Sequence, residues 1–222
     1  MEPSILISLA YVVSVTFFLV ILVQLTLEDH HKFRLVIKTI TCLHFMLVAL
    51  MAVYFNKIEM SEMLLVLGLG SSFSGDIALG LKYKHRSFLI LGTMFFMLAQ
   101  GFYILFFGIT SSSLWLSLPL LFMMLMFGYS TRKNKEYDFK GMGWAITIYA
   151  LMLVTMLSTA LASWVLQPTH FSSMRVIGAM FFFFSDFILL HLYFYKKKNN
   201  ASVVLYLMLY HIAQGLIAWS LW

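Results

Sequence analysis

Charge is what this chain has least of. Asp, Glu, Lys and Arg together make up 11% of its 222 residues, against about a quarter in a soluble domain. A single cysteine, Cys42, rules out an intramolecular disulfide and leaves the redox compartment unread. The catalytic signatures of several enzyme classes are also missing. There is no GxSxG elbow, no HExxH helix and no P-loop, so serine-hydrolase, zincin and nucleotide-triphosphate chemistry have no support. The histidines do not fall at metal-ligand spacing; a set made of Asp76, Asp186 and His211 is the one combination worth naming. The formal charge of +6 is scattered through short loops between apolar runs, which is a topology signal and not a nucleic-acid footprint.

What is abundant is apolar: 62% hydrophobic residues and a mean hydropathy of +0.91. The chain therefore reads as an all-α, polytopic membrane protein, one bundle over residues 1–222. Eight runs are long enough to span a bilayer: Ser4 to Leu27, Arg34 to Phe55, Glu62 to Leu81, Ser87 to Phe107, Ser112 to Tyr129, Gly141 to Leu166, Ser172 to Tyr195 and Ala201 to Trp222. The first opens Met1-Glu2-Pro3 without a basic stretch and is expected to remain as a helix. Lys32, Arg34, Lys82, Lys84, Arg86, Arg132, Lys133, Lys135, Lys140, Lys196, Lys197 and Lys198 lie in or beside the odd-numbered loops, and only Lys57 and Arg175 on the opposite side. The positive-inside rule then predicts cytoplasmic odd loops and both termini outside. Trp164, Trp219 and Trp222 fall near span ends, as in an aromatic belt.

Two acidic residues interrupt the spans. Asp76 lies in SSFSGDIALGL and Asp186 in FFFFSDF. A carboxylate inside a membrane is costly and marks a pathway, a partner or a site. Counted at 1.5 Å per residue, Asp76 lies roughly 9 Å and Asp186 about 15 Å from the cytoplasmic ends of their helices. The bland alternative for Asp76 is a carboxylate tied to hydroxyls of its own helix, with Ser72 one turn away. Lys38, one turn into the second span, either snorkels to the interface or partners a carboxylate or a lipid phosphate. Gln100 with Tyr103, and Tyr210 with Gln214, share helix faces, and His211 reaches toward Gln214. Such residues serve as interhelical hydrogen-bond links or as parts of a site. Tyr149 reads first as buried packing. A short repeat, Gly75-Asp76 with Ala99-Gln100-Gly101 against Ser185-Asp186 with Ala213-Gln214-Gly215, predicts a 4+4 parallel arrangement of the kind some transporters use.

These segments together resemble the YhhN-like family of membrane lysoplasmalogenases. The resemblance rests on Gly75-Asp76, Gln100 to Tyr103, Gly178-Ala179 through Ser185-Asp186, and Tyr210 to Ile217, with Lys38 at the family's helix-two lysine. It covers the second to the eighth span. Three positions depart from it: Gln100 stands where the family commonly has His, His211 where it has a second aromatic, and Thr39 follows Lys38 where proline is common.

The resemblance implies a cofactor-free hydrolase, without metal, that cleaves the vinyl ether of a lysoplasmalogen or related lyso-ether lipid to a fatty aldehyde and glycerophospho-ethanolamine or -choline. The chemistry suits paired carboxylates: an acid protonates the β-carbon and water adds to the oxocarbenium ion. Local sequence favours Asp186, among phenylalanines, as the acid and Asp76, near serines, as the base and stabiliser; the exchanged assignment stays open. Lys38 would hold the phosphate or set a carboxylate's charge, with Gln100, Tyr103, Tyr149, Tyr210, His211 and Gln214 positioning the pair or the water. The expected location is a bacterial cell membrane. A proton-coupled transporter is the rival class, since two intramembrane acids and a parallel repeat also suit it; against it, no paired Gly or Pro breaks occur in corresponding helices. A purely structural or lipid-binding protein would tolerate loss of both aspartates.

Overall fold

The computed structural model describes residues 3–28, 30–56, 58–139, 141–196 and 199–222. Lys57, Lys140, Lys197 and Lys198, four of the residues used to orient the bundle, lie outside the described residues. Among the described residues eight helices follow one another: α1 (Pro3–Leu27), α2 (His31–Asn56), α3 (Met63–Gly80), α4 (Ser87–Phe107), α5 (Ser111–Lys133), α6 (Gly143–Leu166), α7 (His170–Phe194) and α8 (Asn200–Trp219). Each is long and apolar enough to cross a membrane. The protein is a multi-pass membrane protein.

Most ends match the sequence expectation within two residues. α5 runs four residues further, so that Arg132 and Lys133 belong to its last turn, where cations complement the helix dipole. Local chemistry marks the starts. Thr110 and Ser113 form a reciprocal capping box at α5, Thr169 and Ser172 another at α7, and Asn199 accepts from the Ala201 amide at α8.

The helix order packs in the same way in both halves. α1 lies on α2, α2 on α3 and α3 on α4; α5, α6, α7 and α8 repeat this sequence of neighbours. The halves interlock because α4 packs on α6 and α8 on α2. The most extensive contacts are α3 with α4 and α7 with α8. Both of these pairs approach through glycine. A Cβ on Gly75 would lie 3.3 Å from the Gly92 carbonyl, and one on Gly178 would lie 3.0 Å from the Ala213 carbonyl. Small residues let membrane helices meet backbone to backbone, where there is little hydrophobic drive to hold them. Gly178→Ala is therefore expected to push α7 from α8 and cost about 1–3 kcal/mol, measurable as a lowered denaturation midpoint in detergent; Gly143→Ala, whose Cβ would meet nothing within 4 Å, is the control.

The two ends are held differently. At one end, Arg175 reaches Glu62 at 2.9 Å, the Ser220 carbonyl at 3.1 Å and the Ser220 hydroxyl at 3.0 Å, tying α7 to the start of α3 and the end of α8. Arg175 is thus a structural clamp. At the other end, which carries the odd-numbered loops, the Asp138 amide donates to the Phe194 carbonyl at 2.8 Å and the Lys196 amide to the Glu136 carbonyl at 3.0 Å. The Tyr137 hydroxyl lies 2.5 Å from His191 Nδ1. Of the tryptophans, Trp164 donates to Ser173, whereas Trp222 donates to the Val48 carbonyl and packs with Trp219, so the last two serve as joints as well as interface anchors.

Candidate active site

Asp76 and Asp186 line one small cavity, about 20 Å³ in volume, between α2, α3, α4, α7 and α8. That is room for about one water molecule. The two carboxylates are held by unlike partners. Asp76 Oδ1 is 2.8 Å from Lys38 Nζ, an ion pair with 14% and 3% of the two side chains exposed. Asp76 Oδ2 accepts from the Tyr210 hydroxyl and from Cys42 Sγ at 3.1 Å. Asp186 Oδ2 accepts from the Tyr149 hydroxyl. Among the described residues Asp186 makes no ion pair. The two halves thus supply equivalent but chemically different partners, since Lys38 on α2 serves Asp76 on α3 as Tyr149 on α6 serves Asp186 on α7.

The structure decides between readings that the sequence left open. The serines of α3 do not hold Asp76: Ser71 and Ser74 donate to the Leu67 and Gly70 carbonyls of their own helix, and the buried Ser72 hydroxyl makes no hydrogen bond to Asp76. Hydroxyls within a helix find the carbonyl four residues back before they find a neighbouring carboxylate. Lys38 does not snorkel; its ammonium turns inward to Asp76 because the stem is enclosed and the carboxylate is within reach. Tyr149 is not packing alone, since its hydroxyl is on Asp186.

The phenylalanine run also divides. Phe182 and Phe183 are buried, whereas Phe184 is 47% exposed and faces outward. Phe182, one turn before Asp186, packs with Phe96 and Tyr210 at centroid distances of 6.1 and 6.0 Å. Only that part of the run shields the site. Ser185, next to Asp186, donates to the Tyr206 carbonyl at 3.1 Å and so binds α7 to α8.

About one helical turn deeper lies a second polar layer. The Tyr103 hydroxyl donates to Gln214 Oε1 at 3.2 Å. Among the described residues, both amide atoms of Gln100, and Gln214 Nε2, are buried without a well-formed hydrogen bond. His211 Nδ1 is 2.8 Å from the Leu207 carbonyl; since a carbonyl can only accept, Nδ1 carries the proton. Nε2 then faces Cys42 Sγ at 3.8 Å. Lys38, Tyr149 and Tyr210 therefore touch the carboxylates directly, while Gln100, Tyr103 and Gln214 stand behind them and His211 reaches Asp76 only through Cys42.

Cys42, Tyr193 and Tyr206 are site residues that the sequence analysis passed over. Cys42 bonds Asp76, and both tyrosines line the carboxylate cavity. Helical spacing held a signal for each: Cys42 is one turn from Lys38, Tyr206 one turn from Tyr210, and Tyr193 two turns from Asp186. None carries a charge inside its span, so none stood out.

Two other cavities share walls with this chamber. Asp186, Phe96 and Leu189 also line an apolar cleft of about 60 Å³, with Tyr149 on its wall. That cleft shares Ile146 and Leu190 with a larger groove of about 490 Å³ between α5 and α6. On the other side Lys38, Tyr193 and Tyr206 are shared with a third cavity near the odd-numbered loops.

Fold and site together define a polytopic membrane protein built around two buried carboxylates that share one chamber, one of them ion-paired. The model of the YhhN family matches residues 33–221, and the chain belongs to that family. No curated protein and no solved structure matches it.

Proposed function

We propose that this protein is a lysoplasmalogenase, hydrolysing the vinyl ether of a lyso-ether phospholipid to a fatty aldehyde and a glycerophospho-alcohol. YhhN-family membership supports the reaction class. The observation that carries the reading is the unequal pair of carboxylates on one water-sized cavity. Unlike environments for two acids are how a site obtains one proton donor and one fixed negative charge at neutral pH.

Asp186 gives its proton to the β-carbon of the vinyl ether, and its C=C electron pair forms the new C–H bond. Positive charge develops on the ether oxygen and α-carbon. Asp76, kept ionised by Lys38, stabilises that charge electrostatically. Tyr149 holds one oxygen of Asp186 and leaves the other toward the chamber. Water adds to the α-carbon and returns a proton to Asp186. The hemiacetal then breaks at its ether C–O bond, the hydroxyl proton passing to the departing alcohol. Atoms and protons balance without a cofactor. The odd-numbered loops are cytoplasmic in this reading, which places the chamber in the cytoplasmic half of a cell membrane.

The test is product analysis with purified protein and a pair of lipids alike except at the ether. Aldehyde is expected from the 1-alkenyl lysophospholipid and none from the 1-alkyl analogue, which cannot form an oxocarbenium ion by simple protonation. Cleavage of neither lipid, or of both equally, overturns the mechanism. The repeated helix order of the two halves favours one other reading, proton-coupled transport. Proton-driven uptake in liposomes without aldehyde release would decide for it.

A further inference from the structure

At the α3–α4 and α7–α8 contacts glycine closes the space between helices. Between α5 and α6 it does the reverse. Gly128 and Gly143 both line the groove of about 490 Å³ between these helices, and a Cβ on either would meet nothing within 4 Å. Among the described residues the backbone of α5 comes close to that of α6 and of no other helix. Its link to α7 is made by side chains, the Phe127 ring lying 4.4 Å from that of Phe187. The groove is thus a standing gap within the size range of a ligand pocket, about 300–1,000 Å³.

Position and chemistry point to lipid as its occupant. α5 and α6 are both membrane-spanning, and Leu125 and Met126 on the groove wall are 64% and 50% exposed, so the gap faces the bilayer. From Leu121 to Arg132 it runs about 16 Å along α5, at 1.5 Å per residue. That is close to one leaflet's share of a hydrocarbon core about 30 Å thick. Leu121, Met124 and Leu151 line its inner stretch, and Tyr129 and Arg132 its odd-loop end. The Lys133 ammonium stands at that same end, 4.3 Å from the centre of the Tyr129 ring. Residues 132 to 140 carry four basic side chains against two acidic ones, Glu136 and Asp138. Cations at this level attract anionic head groups, each worth a few-fold in affinity. An empty apolar gap would forfeit dispersion contacts along its walls, and a hydrocarbon chain restores them.

We propose that the α5–α6 groove binds one anionic diacyl phospholipid of the surrounding bilayer. One chain lies between the two helices, from the level of Leu121 and Leu151 outward, and the phosphate meets Arg132. The second chain stays in the bilayer. The site is separate from the carboxylates: among the described residues none lines both the groove and the carboxylate chamber. It does not depend on which lipid is hydrolysed. A chain seated there packs against α5 and α6 at once and so holds α5 on the bundle.

The test is native mass spectrometry of the full-length protein released from detergent, with phosphatidylglycerol and phosphatidylcholine of the same chains supplied in equal amounts. A monomer carrying one phosphatidylglycerol is expected, retained about fivefold or more over phosphatidylcholine. Gly128→Leu puts a side chain into the gap on a helix that gains by losing glycine, and is expected to lower retention of both lipids several-fold. Arg132→Gln is expected to bring the two lipids toward parity. Denaturation midpoints in the same detergent check folding; phosphatidylglycerol should raise that of the unmodified protein and not that of Gly128→Leu. Equal retention of the two lipids by the unmodified protein overturns the proposal, and this comparison stands even where a variant fails to fold. Retention unchanged in a folded Gly128→Leu protein, or a preference unchanged in Arg132→Gln, also overturns it. A lipid-free dimer would give the groove to a second copy of the chain. Displacement of phosphatidylglycerol by an equal amount of a 1-alkyl lysophosphatidylcholine would give it to the substrate's chain; either result overturns the proposal.

Discussion

Asp186→Asn is expected to reduce aldehyde release by about 10²–10⁴-fold, the usual share of a general acid, while leaving the protein folded. Asparagine has nearly the shape of aspartate. Its carbonyl oxygen can still accept from the Tyr149 hydroxyl, which among the described residues is the one side-chain hydrogen bond Asp186 makes. No ion pair is lost, since Asp186 makes none among the described residues. What disappears is the proton that the amide cannot donate as an acid. The 1-alkyl lysophospholipid should bind the variant as it binds the unmodified protein, and the loss should appear in kcat with little change in KM. The measurement is initial-rate aldehyde release beside a denaturation curve in the same detergent. A folded Asp186→Asn protein with full activity would remove this residue from the chemistry and, with it, the acid mechanism.

Lys38→Met is expected to have the largest effect on stability. The substitution keeps a long apolar stem but deletes the ammonium 2.8 Å from Asp76, whose side chain is 3% exposed. A carboxylate left buried without its partner costs about 3–5 kcal/mol. The remaining donors, Tyr210 and Cys42, satisfy one oxygen and bring no positive charge. Adding Asp76→Asn should restore most of the loss, because the amide can accept from the same donors and has no charge to compensate. The double variant should be stable and inactive: its chamber no longer holds a fixed negative charge to stabilise the cation. Denaturation midpoints of the unmodified protein, both single variants and the double variant form the cycle that isolates the pair. A Lys38→Met midpoint equal to the unmodified one would return Lys38 to a snorkelling interface residue.

The two aspartates were legible because each is the lone acid in a span of apolar residues, and burying such a group is too costly to be incidental. Eight spans were legible for the same kind of reason: backbone polar groups must be satisfied within the helix in lipid, so length and apolar composition suffice. Lys38 was legible as a cation within a span that either snorkels or partners a carboxylate; only the meeting of α2 and α3 decided for Asp76. Cys42, Tyr193 and Tyr206 were not, since an uncharged side chain at helical spacing reads alike whether it faces lipid or a cavity. Nor could the FFFFSDF stretch show that Phe184 turns outward while Phe182 packs against Phe96 and Tyr210, two walls of the chamber.

By itself the sequence determined the class, the helix count, the two acids and the family, all of which depend on composition and on local spacing along one chain. Only the tertiary structure decided that the acids share a chamber, that one is ion-paired and the other held by a tyrosine, and that further cavities share walls with that chamber. Those facts depend on which helices meet. The helices meet where glycines at positions 75, 92 and 178 let backbones approach and where the two halves interlock through α4 on α6 and α8 on α2. Contacts of that kind join residues far apart in the chain, and no local spacing records them.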